Sequence, residues 1–174
     1  MPPAPPFRGA HCALAFLLAS ARAARAADTM EARNAAAGLM MTHAMFVDIT
    51  LGHRCGALPA PDGPSARAAQ RGWLDRNAEP VLVSRLWIRA LGDSIAARMG
   101  EDAGAQFLEQ RNAEFGDAVS CMQQTVLTNG EVTQVACARI TKAVDAGSFD
   151  VAHTPGVAET LRRMGAERVP RSAD

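Results

Sequence analysis

The sequence predicts an all-α protein, folded as an antiparallel helical bundle of four to five helices, and three observations lead to that prediction. Nearly every long segment repeats its apolar residues with a period near that of an α-helix. Alanine is abundant, while strand formers are scarce, because the chain has no tyrosine and its β-branched residues never cluster in an alternating run. Finally, Cys121 and Cys137 lie eight residues before and eight residues after Asn129, which predicts a helical hairpin stapled by a disulfide.

The hairpin prediction depends on a turn at Asn129-Gly130, a pair that readily adopts positive φ. Each arm carries an apolar stripe at helical spacing, and small residues flank both cysteines, which would let the two backbones approach closely. A bridge from Cys121 to Cys137 would close a loop of about 16 residues and contribute about 3 kcal/mol in the chain-entropy model. Two buried free thiols, or a bridge through Cys55, are the alternatives.

Residues 1–26 have the pattern of a signal peptide. Arg8 precedes a mostly apolar run over residues 10–21, and Ala24-Arg25-Ala26 offers an A-x-A cleavage site. We therefore expect a periplasmic or secreted protein. An organellar transit peptide is the alternative, because the segment contains arginines and no acidic residue precedes Asp28.

Cleavage would leave a single helical domain over residues 27–165 and a flexible tail over residues 166–174. The mature chain would carry fifteen basic and eighteen acidic residues and no basic run. This charge argues against nucleic acid as a partner and against anionic membrane surfaces, and no membrane insertion is expected after cleavage. Three cysteines would remain. If Cys121 pairs with Cys137, Cys55 is left free or can link two chains as a dimer.

The first two helices have clear local signals. Asp28 or Thr29 can cap a helix that runs to about residue 54, and its middle is apolar on more than one side, as expected of a buried helix. Prolines and glycine then break the chain over residues 57–64. Ser65 can cap a second helix through about residue 77, with Trp73 on its inner face.

The third helix is expected from Pro80 to about Met99, with Gly100 as its end. The hairpin follows, and Gly147 stands where a C-terminal glycine cap is expected. Thr154-Pro155 then predicts a cap and first-turn proline for a short last helix that ends at Gly165.

One local cluster suggests metal binding. Met41, His43 and Met45 carry thioether and imidazole groups, which suit copper(I). On a helix Met41 and Met45 share a face while His43 points elsewhere, so core packing by the methionines is the simpler interpretation. A soft-metal (copper) binding protein of the periplasm is therefore the alternative function.

Catalytic and cofactor signatures are missing from the sequence. There is no G-x-S-x-G serine, no HExxH or CxxC metal pattern, and no glycine-rich phosphate loop. The sequence thus predicts no enzyme and no cofactor.

A protein-binding role is the leading hypothesis. Trp87, Arg85 and Arg89 lie together in the sequence, and tryptophan and arginine are enriched at binding hot spots. We therefore expect a small exported helical protein that binds a protein partner, as an envelope adaptor, an inhibitor or an immunity-type protein.

Overall fold

A computed structural model describes residues 29–58, 64–127 and 132–167, and these residues form six α-helices and no strand. The all-α prediction is confirmed over this part of the chain. The signal peptide, the turn at Asn129-Gly130 and the tail from residue 168 lie outside the described residues. The helices are α1 (Met30–Val47), α2 (Ala66–Arg76), α3 (Ala78–Met99), α4 (Glu101–Val126), α5 (Gln134–Asp145) and α6 (Pro155–Ala166).

Two predicted N-caps are confirmed. The Thr29 hydroxyl accepts a hydrogen bond from the Ala32 amide at 3.1 Å, and the Ser65 hydroxyl accepts one from the Ala68 amide at 3.2 Å. Each bond satisfies an amide that the first turn of a helix leaves without an intrahelical acceptor. The starts of α1 and α2 are therefore determined by local chemistry.

The glycine cap of α5 is also confirmed. Gly147 has φ of +83°, its amide donates to the Val144 carbonyl, and the Ser148 amide donates to the Ala143 carbonyl. These two bonds form a Schellman motif, which needs a left-handed residue at this position.

Helix α1 occupies the centre of the fold. It packs against α3, α4 and α6, and it continues through a π-helical segment, Asp48–Arg54. Among the described helices, α1 with this extension is the one long and apolar enough to cross a membrane, with a mean hydropathy of 1.3. Its fully buried side chains, among them Met40, Phe46 and Leu51, form the middle of the core.

Helices α3 and α4 form an antiparallel pair joined by the single residue Gly100, whose φ of +99° reverses the chain. The two helices approach closely where small residues face each other. A Cβ placed on Gly104 would lie 2.7 Å from the Ala96 Cβ and 2.8 Å from the Gly92 carbonyl oxygen. Glycine at 104 is thus a steric requirement of this helix pair.

The disulfide joins Cys55 to Cys137, so the predicted bridge between Cys121 and Cys137 is wrong. The Cα atoms of Cys55 and Cys137 are 5.5 Å apart, within the usual range of about 4.4–6.8 Å for a bridge. Cys55 is only 1% exposed. Its sulfur is therefore taken up within the chain and buried, which also contradicts a dimer linked through Cys55.

The physical reason lies in the packing of α5. The apolar stripe of α5, with Cys137, Ile140 and Val144 at its centre, is buried, and α5 packs against α2. Cys55, the residue that follows the π-helical segment, bonds to Cys137. Within the described residues α5 does not pack along the length of α4, although Arg139 donates to the Val126 carbonyl at the end of α4. The arms of the predicted hairpin therefore do not face each other. The periodicity of α5 predicted which of its residues are buried but not which helix covers them.

Candidate functional site

A small cleft opens on the surface where α1, α3 and α4 meet. Its floor and walls are mostly apolar and aromatic, and its rim carries an amide and a guanidinium group. The apolar and aromatic lining residues are Gly38, Trp87, Ile88, Leu91, Phe107 and Phe115, and the polar ones are Asn34 and Arg111.

Trp87 is fixed on both sides. Its indole N–H donates to Asn34 Oδ1 at 2.9 Å, and the Arg33 guanidinium lies 5.6 Å from the ring centroid. Arg33 is held in turn by two hydrogen bonds to Glu167, at 2.7 and 2.8 Å. Glu167, which follows α6, therefore holds Arg33 beside the cleft's tryptophan.

Arg111, on α4, also lines the cleft. Its guanidinium lies 5.7 Å from the Phe107 ring centroid and donates to Glu114 at 2.6 Å. The Arg111 side chain is 42% exposed, and exposed pairs of this kind contribute only about 0.2–1 kcal/mol. A carboxylate from outside can therefore compete with Glu114 for this arginine.

The cleft has a volume of about 40 Å³. Sites for cofactors and drug-sized ligands usually measure about 300–1,000 Å³, and an apolar cavity that binds benzene measures about 150 Å³. The cleft is thus too small to enclose a cofactor or an aromatic ring, and it could enclose only part of an aliphatic side chain.

The predicted partner surface is not one continuous face. Arg85 and Arg89 are exposed, but each lies two positions from Trp87, about 160° around the helix. The structure instead brings Trp87 together with Arg33 from α1. Arg85 and Arg89 share their face of α3 with Leu82 and Leu86, which are 54% and 42% exposed.

The predicted copper ligands Met41, His43 and Met45 all lie on α1. The His43 Nδ1 lies 3.2 Å from the Phe149 carbonyl oxygen, and the imidazole meets the Phe149 ring edge-on at 5.8 Å. Met45 packs against the core. Because residues 41 and 43 project about 160° apart on a continuous helix, α1 does not bring the three together on one face.

Burial in this contact lowers the pKa of His43 from its ordinary value, and the hydrogen bond to the Phe149 carbonyl opposes that shift only in part. A neutral imidazole that donates from Nδ1 fits both observations. His43 therefore serves to hold the connection between α5 and α6.

A second polar cluster anchors the same connection. Arg76 binds Asp150 at 2.6 Å, which raises the pKa of the guanidinium. The buried Asn77 side chain donates to the Trp73 carbonyl and to Asp150, and it accepts from the Val151 amide at 3.0 Å. Because Arg76 neutralises the Asp150 carboxylate and the polar atoms of Asn77 are paired, this cluster stabilises the connection between α5 and α6.

Over the three described ranges, no group of three or more His, Cys, Asp or Glu side chains converges as a metal site. No protein-family model, curated protein or solved structure matches the chain. The Trp87 cleft is therefore the candidate site, and the geometry of the cleft is the only basis for this assignment.

Most of this site could not be found in the sequence. Trp87 was a candidate because of its residue type, but Asn34, Phe107 and Arg111 come from two other helices. The available signal was Gly38, a glycine in the interior of an apolar helix, where alanine would be more favourable by about 1 kcal/mol.

Proposed function

We propose that this chain is an exported helical protein that works by binding another protein, as an envelope adaptor, an inhibitor or an immunity-type protein, and that the Trp87 cleft takes an anchor side chain of the partner. The observation that carries the proposal is a small surface cleft lined by tryptophan, phenylalanine and arginine. Binding hot spots concentrate in such pockets and are enriched in tryptophan and arginine.

The buried Cys55–Cys137 bridge supports the exported location. Structural disulfides persist in the periplasm and outside the cell, while reducing systems keep cytosolic thiols reduced. We also propose that the fold is a helical bundle in which α1, α3, α4 and α6 form the core.

Gly38 supports the idea that the cleft is kept open. The nearest heavy atom to a Cβ added there is the Phe115 Cε1 at 3.9 Å, so packing does not require glycine.

Capture from the native compartment tests this proposal. The unaltered chain, the cleft-filling variant Gly38→Leu and the control variant Gly116→Ala are immobilised at equal amounts. Gly116 is also in a helix interior with no heavy atom within 4 Å of an added Cβ, but it lies outside the cleft.

The proposal predicts a partner that the unaltered chain and Gly116→Ala both retain and Gly38→Leu loses. Equal retention by all three forms would contradict the use of the cleft. Circular dichroism of each variant confirms that the helical content is unchanged.

A further inference from the structure

The rim of the cleft carries polar donors that the described residues leave unused. The Trp87 indole can only donate, so it fixes Oδ1 of Asn34 towards itself and directs the Asn34 NH₂ group away. This NH₂ group donates to no acceptor within the described residues, and Arg111 uses only Nη1, on Glu114. Asn34 and Arg111 both line the same small cleft, so each has a donor available beside its apolar residues.

This pattern has one simple complement. A carboxylate satisfies a guanidinium and an amide N–H together, and such charge-assisted bonds are stronger than neutral ones. The apolar space beside these donors accepts a short branched hydrocarbon. In a protein partner, the C-terminal residue is where an aliphatic side chain and a free carboxylate share one Cα atom.

We propose that the cleft recognises the C-terminus of its partner, with a terminal leucine, isoleucine or valine side chain on the floor at Gly38 and the terminal carboxylate on Arg111 and Asn34. This inference rests on the proposed protein-binding function and specifies the part of the partner that enters the cleft. In the free protein Arg111 is paired with Glu114, and the carboxylate of the partner replaces Glu114 in this ion pair.

The probe is the acetylated tripeptide Ala-Ala-Leu with a free carboxylate, compared with the same peptide as its C-terminal amide. Binding is followed in proton–nitrogen spectra through the indole N–H of Trp87. The indole of the fully buried Trp73 serves as the internal reference. We expect the acid to shift the Trp87 resonance and to bind about tenfold more tightly than the amide, since one charge-assisted bond is worth about that much.

Two substitutions separate this role from a structural one. Arg111→Gln should weaken binding of the acid about tenfold and leave binding of the amide unchanged. Glu114→Gln should strengthen binding of the acid about twofold, because it removes a weak competing pair. Gly38→Leu should abolish binding of both peptides, and the milder Gly38→Ala should reduce it, while Gly116→Ala should change neither.

Three outcomes would overturn the inference: equal affinity for acid and amide, affinity unaffected by Arg111→Gln, or binding of free 3-methylbutanoate as tight as that of the peptide acid. The third outcome would assign the cleft to a small carboxylic acid. These outcomes concern only the recognition of a C-terminus. Whether the cleft binds a protein at all is tested separately, by the capture experiment with Gly38→Leu.

Discussion

Removal of the disulfide should cost this protein much of its stability. Cys55 and Cys137 are separated by 82 positions in sequence, and a loop of that length loses about 4.5 kcal/mol of unfolded-state entropy in the chain-entropy model. A bridge between Cys121 and Cys137 would close a loop of about 16 residues and contribute only about 3 kcal/mol. The bridge that the structure contains is therefore expected to contribute the larger of the two amounts.

The double variant Cys55→Ala/Cys137→Ala is the suitable perturbation, since both residues are buried and alanine adds no polar group to the core. Urea unfolding of the variant and the oxidised parent, followed by circular dichroism, gives the difference in the free energy of unfolding. We expect a loss of about 4 kcal/mol. Peptide mapping without reduction should recover the Cys55 and Cys137 peptides joined.

A loss below about 1 kcal/mol would refute the reasoning from loop length, because a bridge that closes 82 positions restricts the unfolded chain strongly. Alkylation of Cys55 without prior reduction would refute the pairing itself.

Three further predictions concern the packing and the buried polar groups. Gly104→Ala should destabilise the protein by about 1–3 kcal/mol in urea unfolding, because the new Cβ would lie 2.7 Å from that of Ala96. His43→Phe should flatten the pH dependence of stability. Burial lowers the pKa of His43 below 6.5, so the unfolded chain takes up a proton at a higher pH than the folded chain. The free energy of unfolding of the parent therefore falls as the pH drops below about 6.5. Asn77→Ala should cost about 1–3 kcal/mol, because the Val151 amide loses its acceptor, and hydrogen exchange should report faster exchange of that amide.

Each of these has a control and a contrary result. Gly116→Ala should be neutral or stabilising, so an equal loss from both glycine variants would contradict the close approach of α3 and α4. His53→Gln, at an exposed position, is the control for the acid titration, and an unchanged slope in His43→Phe would contradict the role of His43. Unchanged exchange of the Val151 amide in Asn77→Ala would contradict the assigned bond.

Several helix boundaries could be predicted because they depend on neighbours in sequence. Thr154, which was expected to cap α6, precedes that helix but makes no side-chain cap bond. Thr29 and Ser65 bond amides three residues ahead, and Gly100 and Gly147 supply positive φ where helices end. Trp73 was expected inside and is fully buried, because its place in the helical period determines its face. These features need no knowledge of the tertiary fold.

The disulfide could not be predicted in the same way. The four cysteines of the chain permit more than one pairing, and the choice depends on which helix covers α5. The symmetric spacing around Asn129 favoured Cys121, but the π-helical end of α1 brings Cys55 to Cys137. The cleft escaped prediction for the same reason, since its rim groups Asn34 and Arg111 meet only when α1, α3 and α4 pack.

Site-specific photo-crosslinking tests the use of the cleft most directly. A photoreactive residue replaces the exposed Gln110, next to Arg111, and a control chain carries it at Val135, which is 79% exposed on α5. After irradiation in the native compartment, mass spectrometry identifies the partner peptide. We predict that position 110 alone links to a partner, and that the linked peptide is its C-terminal one. Links of equal yield from both positions would contradict binding at the cleft, and an internal partner peptide would contradict recognition of the C-terminus.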